Sequence, residues 1–245
     1  MRILALHGLG SSSSLLKEQL TPFSKALGRE YRFIFLDGGI PCERGPVEMR
    51  QALNYLDNFI REHGPFDGVF GFSLGAALAI TYMLDQQNKQ ASSPFCFAVM
   101  SSSIFVVSPD DSFCEQLLRR WLADDHAAFR SKFPNGDFMT ELEDPSEQKL
   151  AQYLQQVLSM QSMGVGLILP NTNVDFLGTK KTEEVPRLVH PDLLNARIKI
   201  PTVHVTGRHD GGHDVPFKIS DVNAIVSLIK EMAEEGTQIR DLYDD

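Results

Sequence analysis

The sequence is poor in cysteine, in long apolar runs and in basic charge, and each shortage excludes something. Cys42, Cys96 and Cys114 are the only three cysteines in 245 residues. They are odd in number and widely spaced, so neither a disulfide framework nor a zinc site is expected. Buried free thiols in a reducing compartment fit better, which makes the cytoplasm the default location. No apolar run approaches the roughly 20 residues that cross a bilayer. The opening Met1–His7 is too short for a signal-peptide core and lacks a small-residue cleavage site, so it reads as a first core strand. Lys and Arg number 23 against 32 Asp and Glu, a net charge of −9. An acidic surface repels phosphate backbones, and nucleic acid is not an expected partner. Linkers rich in Gly, Ser or Pro are missing too, as are internal repeats, and Ser11–Ser14 is the one low-complexity tract.

The remainder is an ordinary globular balance, 42% hydrophobic and 22% charged. A chain of this size buries a full core without disulfides or metals. Short apolar runs of β type recur at Ile3–Leu6, Tyr31–Leu36, Gly68–Phe72, Phe95–Ser101 and Thr202–Thr206. None alternates polar with apolar, as expected for strands of a parallel sheet covered on both faces. Helical patterns fall between them. Pro46–Glu62 places Val47, Leu53, Leu56 and Ile60 on one face, Leu74–Gln87 is apolar nearly all round, and Phe217–Glu235 carries a stripe of Ile219, Val222, Val226 and Ile229. Alternation of strand and helix predicts an α/β, doubly wound, mostly parallel sheet. The rhythm breaks over residues 110–196, where helical patterns at Phe113–Phe129 and Glu147–Met163 appear without a clear strand. We read residues 1–245 as one domain with a helical, lid-like insertion there. The tail Asp241–Asp245 is expected to fray.

Gly71-Phe72-Ser73-Leu74-Gly75 is a G-x-S-x-G pattern between an apolar strand and an apolar helix. In that context the turn is strained and lifts the Ser73 hydroxyl out at the carboxyl end of the sheet, with a helix N-terminus behind it. A Cβ at either glycine would collide with a neighbouring strand or helix. Ser73 is therefore the candidate nucleophile. Acyl transfer also needs two amides aimed at the developing oxyanion. Leu74, next to the nucleophile, supplies one, and Leu9 in the turn His7-Gly8-Leu9-Gly10 is the most plausible source of the other. The same turn does not continue as a phosphate loop, because no Gly-Lys-Ser/Thr follows it. His7 reads as structural.

A serine nucleophile needs a base and the base needs an orienting acid, which in such sites follow in the order acid, then histidine. Asp210 closes the run Val203–Asp210, and His213 lies in Gly211–Pro216. Asp210 is assigned as acid and His213 as base, with His209 the rival base and Asp214 the rival acid. His63, His126 and His190 read as surface or packing residues.

Leu6–Gly10, Gly71–Ala76, Pro201–Asp210 and Gly211–Pro216 together resemble the FSH-type family of serine hydrolases, over nearly the whole chain and least securely in the insertion. The resemblance implies an α/β-hydrolase fold, a Ser73–Asp210–His213 triad, and hydrolysis of carboxylic esters or thioesters. Fungal members include thioesterases and esterases that release polyketides from synthases. It therefore also implies a hydrophobic acyl substrate, small or bound to a carrier protein, with a polyketide synthase as partner. No cofactor or metal is called for. One departure stands out. In that family a helix and a further strand separate acid from histidine by roughly 20–30 residues. Here Gly211 and Gly212 alone intervene. Three peptide steps span about 10–11 Å at most, so the two side chains can still meet. The final strand is missing on this reading, which leaves an exposed sheet edge.

Phe138, Met139, Met160, Met163, Leu167 and Ile168 are the candidates to line an acyl pocket, weighed evenly against an ordinary core role. Two other readings compete with hydrolysis: an acyltransferase or cyclase on the same acyl-enzyme, and a binding protein that keeps the fold without turnover.

Overall fold

The computed structural model describes residues 1–38, 46–103, 106–110, 112–162, 177, 182, 187–194, 196–206, 215–216 and 218–244. The chain divides into two compact units, one drawn from residues 1–41, 53–104 and 196–245, the other from 42–52 and 105–195.

The first unit is built on a parallel sheet. Its strands are β1 (Arg2–Leu6), β2 (Arg32–Leu36), β3 (Gly68–Phe72), β4 (Phe97–Ser101) and β7 (Thr202–Val205). They lie in the order β2-β1-β3-β4-β7, every pair parallel. β3 and β4 are buried at every residue, which is why their sequences show no alternation. Successive side chains nevertheless serve opposite faces. Ile3, Ala5, Phe70 and Phe72 join one core with Leu16, Leu20, Phe23 and Leu27 and with Val222, Val226 and Ile229. Those residues come from α1 (Ser13–Gln19), α2 (Thr21–Leu27) and α8 (Ile219–Asp244). The opposite face receives α4 (Leu74–Asn88), whose Ala76, Ala77, Ala79, Tyr82 and Met83 are buried. α3 (Pro46–His63) neighbours α4 through the Tyr82 hydroxyl, which donates to Asp57 Oδ1 at 2.8 Å. Helices thus cover both faces, as the doubly wound reading requires. β4 and β7 are sheet neighbours although residues 102–201 separate them, and β7 closes the order as an edge strand among the described residues.

The second unit is mainly helical: α5 (Glu115–Leu122), α6 (Ala127–Lys132) and α7 (Pro145–Ser162). Three sequence expectations are corrected here and in α8. The pattern over Phe113–Phe129 is not one helix. α5 ends at Ala123, whose extended backbone (ψ 156°) turns the chain into a 3-10 turn before α6. The stretch read as strand-free contains β6 (Leu188–Val189), antiparallel to β5 (Val106–Val107). Two residues are too few to show any periodicity. Lastly, α8 runs on to Asp244 rather than fraying at Asp241. Phe138, proposed for a pocket wall, packs instead in an aromatic core with Phe129 and Phe133, ring centroids 6.0 and 5.1 Å away, and is 2% exposed. Met163, Leu167 and Ile168, and the Met160 side chain, lie outside the described residues.

Candidate active site

β3 ends at Phe72, and the chain turns at Ser73 with φ 55° and ψ −117° before α4 begins at Leu74. Those angles belong to the first central residue of a type II′ turn, a position glycine normally fills. A serine there is strained by about 1–3 kcal/mol, and such strain persists only where surroundings impose it. They do so here. The Ser73 amide donates to the Ser101 carbonyl of β4 at 2.9 Å. The Ser73 carbonyl accepts from the amides of Ala76 and Ala77, both at 3.1 Å. A Cβ on Gly71 would stand 2.4 Å from Ala76 Cα, and one on Gly75 would stand 2.2 Å from the Leu6 carbonyl oxygen. Both glycines of the pattern are therefore required by backbone packing, as the sequence suggested. Ser73 is 5% exposed.

The turn after β1 meets this elbow. Leu6 pairs in register with Gly71, so the carboxyl ends of β1 and β3 lie side by side. A Cβ on Gly8 would stand 3.0 Å from Ser73 Cβ and 3.2 Å from Phe72 Cδ1. The Ser11 amide donates to the Gly8 carbonyl at 3.3 Å, closing a tight turn through Gly10 at φ 66°. Leu9 is 53% exposed on its crest. Ser12 then caps α1, accepting from the Leu15 amide at 3.2 Å. Leu74 is the first residue of α4, where an amide has no acceptor within the helix and the dipole favours negative charge.

His7 links this turn to the end of β2. Its Nδ1 lies 2.8 Å from the Gly8 carbonyl, and the Gly38 amide donates to its Nε2 at 3.2 Å. An amide only donates and a carbonyl only accepts, so the ring is the neutral tautomer with hydrogen on Nδ1. Asp37 Oδ1 sits 3.6 Å from Nε2, too far for a hydrogen bond but close enough to act on the ring electrostatically. Asp37 instead takes the Ser13 amide and hydroxyl, each at 2.7 Å, and those bonds hold its carboxyl below the usual range. Sequence reasoning missed Asp37. An acid directly after the apolar run of β2, facing a serine-rich helix start, was the available signal.

The structure therefore brings together Ser73, Leu74 and the Leu9 turn. Asp210 and His213, with their rivals His209 and Asp214, lie outside the described residues. β7 does approach the site's edge of the sheet. Val205 pairs with Ser101, and the Ser102 amide donates to the Val205 carbonyl at 2.7 Å. β7 is two strands from β3, about 10 Å at ordinary strand spacing. Three other histidines have local roles: His63 stacks on Phe59, His126 contacts Asp125, and His190 accepts from the Asp192 amide. Cys96 and Cys114 are free thiols, and burial pushes Cys114 up to about 11. Among the described residues no His, Cys, Asp or Glu cluster could hold a metal, and no helix is long and apolar enough to cross a membrane.

Comparison with known proteins adds to this geometry. The family model described as serine hydrolase (FSH1) matches residues 1–50 and 44–214. Esterase alnB of Emericella nidulans is 32% identical over 268 residues, 91% of this chain and 93% of that one. The aligned stretch exceeds this chain's length, so it opens gaps within it. Serine hydrolase cnsH of Penicillium expansum is 27% identical over 67% of this chain and 66% of its own. Among solved structures, the type II thioesterase BorB from the borrelidin biosynthetic cluster aligns over 95% of this chain and 92% of that one, at 15% identity and a TM-score of 0.43.

Proposed function

The chain belongs to the serine hydrolase (FSH1) family, and from that premise we propose that it cleaves esters or thioesters of a hydrophobic acyl chain through an acyl-enzyme on Ser73. The observation that carries this reading is the strained Ser73 backbone at the end of β3, with the Gly8 turn packed against it. In the reaction, His213 takes the Ser73 proton as the hydroxyl oxygen attacks the substrate carbonyl. Amides of Leu9 and Leu74 hold the oxyanion. The carbonyl re-forms, the bond to the leaving group breaks, and the departing alcohol or thiol takes the proton from His213. Water, deprotonated by His213, then attacks the acyl-enzyme and frees the acid and Ser73. Asp210 orients His213 and stabilises it while charged. No step calls for a cofactor.

Val205 at the end of β7 supports the assignment of Asp210 and His213, because its pairing with Ser101 brings the chain to the serine's edge of the sheet. The sheet pairing of β4 with β7 supports one hydrolase domain in which residues 110–196 are an insertion. The esterase named among the relatives supports an ester-type acyl substrate, the family resemblance supports one of polyketide type, free or on a carrier protein, and the few, widely spaced cysteines support the cytoplasm.

A fluorophosphonate probe tests the nucleophile. Wild-type protein should be labelled stoichiometrically and Ser73→Ala should not, with p-nitrophenyl esters and acyl-thioesters hydrolysed by the former alone. Equal labelling of both proteins, or none of folded wild type, overturns the reading.

A further inference from the structure

We propose that His7 is a positioning residue that sets the direction of the Leu9 amide and so aligns one half of the oxyanion hole. This rests on the acyl-transfer reading of Ser73 above. The Gly8 carbonyl and the Leu9 N–H belong to one peptide unit. The described cis peptide bonds are Gly64-Pro65 and Phe133-Pro134, so this unit is trans. In a trans unit the carbonyl and the N–H point in opposite directions. Fixing one therefore fixes the other.

The carbonyl is fixed twice. His7 Nδ1–H donates to it at 2.8 Å, and the Ser11 amide donates at 3.3 Å. The shorter bond comes from the side chain, which is itself held. The Gly38 amide donates to His7 Nε2 at 3.2 Å and forces the tautomer that carries hydrogen on Nδ1. Gly38 lies just beyond β2, so the ring braces the β1 turn against the neighbouring strand end. The side chain is 15% exposed, which limits competition from water. Gly8 itself lies against Ser73, so a rotation of this peptide acts directly beside the nucleophile. Among the described residues, the crest residue Leu9 is half exposed and nothing lies within 4 Å of a Cβ built on Gly10. The hydrogen bonds to the Gly8 carbonyl, rather than packing on its crest, hold this turn among the described residues.

Two substitutions separate positioning from mere folding. Asn at position 7 keeps an N–H near the place of Nδ1, and Leu keeps bulk without a donor. Each protein is compared by its kcat per fluorophosphonate-titrated site, its KM, and its inhibition by a trifluoromethyl ketone, whose adduct carries an oxyanion. Removing a whole oxyanion donor lowers kcat about 10²–10³-fold, so misaiming one should lower it about 10–100-fold. His7→Leu should show that loss in kcat with KM unchanged, and an equal loss in ketone affinity. His7→Asn should recover most of both. If His7→Leu melts lower yet keeps wild-type kcat per titrated site, or if its ketone affinity stays unchanged while kcat falls, His7 is structural only and the proposal is overturned. If wild-type Ser73 fails to label at all, it is the acyl-transfer reading that falls, and this inference with it.

Discussion

Ser73 should be worth more to activity than to stability, and replacing it by glycine should make the protein more stable. The elbow holds a residue with a Cβ at φ 55° and ψ −117°, a conformation suited to glycine. The strain is about 1–3 kcal/mol. Glycine releases it, but loses more chain entropy on folding than alanine does, by about 0.4–1 kcal/mol. The net gain of Ser73→Gly over Ser73→Ala is then about 1 kcal/mol, or roughly 2–4 °C in Tm for a chain of this size. Alanine is the right reference because both variants lack the hydroxyl and differ only by the Cβ. Thermal melts of the two inactive variants, side by side, make the measurement. The sign decides the matter. At an unstrained position Gly would melt lower than Ala. If Ser73→Gly melts lower than Ser73→Ala, the elbow stores no strain and the account of it given above is wrong.

Gly75→Ala should damage both stability and activity. Its Cβ would stand 2.2 Å from the Leu6 carbonyl oxygen and 2.7 Å from that of His7, so β1 and α4 must part by about 1 Å. A displacement of that size at reacting groups lowers turnover by about 10²-fold. Gly68→Ala is the control. Its Cβ meets the Phe97 ring at 2.3 Å, at the far end of β3, so Tm should fall while kcat per titrated site stays at the wild-type value. His213→Ala should lower kcat by about 10⁴–10⁶-fold in ester hydrolysis. Full activity in that variant would move the base to His209. In the helical unit, the Arg120 guanidinium and then the Ser146 amide hold the Asp144 carboxyl below its usual range. A depressed folded value means stability that is present at neutral pH and lost as pH falls through that value. Asp144→Ala should therefore lower Tm at pH 7 and lower it less well below the ordinary aspartate value of about 3.9, as melts across that range would show.

The sheet and the elbow were legible in the sequence because both depend on backbone packing that restricts residue type. Five apolar runs without alternation marked five strands, and each run became one strand; β1, β3 and β4 are buried along nearly their whole length, while β2 and β7 are partly exposed. Gly71 and Gly75 announced the elbow because no Cβ fits at either. Long-range pairing was less legible. Asp37 is tied to the start of α1 and His7 to the end of β2, and neither bond leaves a periodic trace. The helical region resisted for a different reason. The residues from Phe113 to Phe129 keep an apolar repeat through a break at Ala123, because Leu118, Trp121 and Phe129 face one core from two helices. Apolar content there pointed equally to a pocket and to a core, and Phe138 belongs to the core.

The position of the site follows from the strand order. From β1 the chain crosses to β2 on one side, and the later strands β3, β4 and β7 build out on the other. Connections leaving the carboxyl ends of β1 and β3 therefore diverge, which makes this the switch point where open α/β sheets bind their ligands. The two glycine-bearing turns leave from those two strands. On the proposed reading the turn after β1 brings amides and the turn after β3 brings the hydroxyl, and the register of Leu6 with Gly71 sets the two turns side by side. β7 ends at the same edge two strands away, with its outer side unpaired among the described residues. On the proposed reading, an edge strand there lets the following residues turn toward the serine without breaking a ladder. That is the arrangement a base and its acid need if they are to reach the serine across β4 in so few residues.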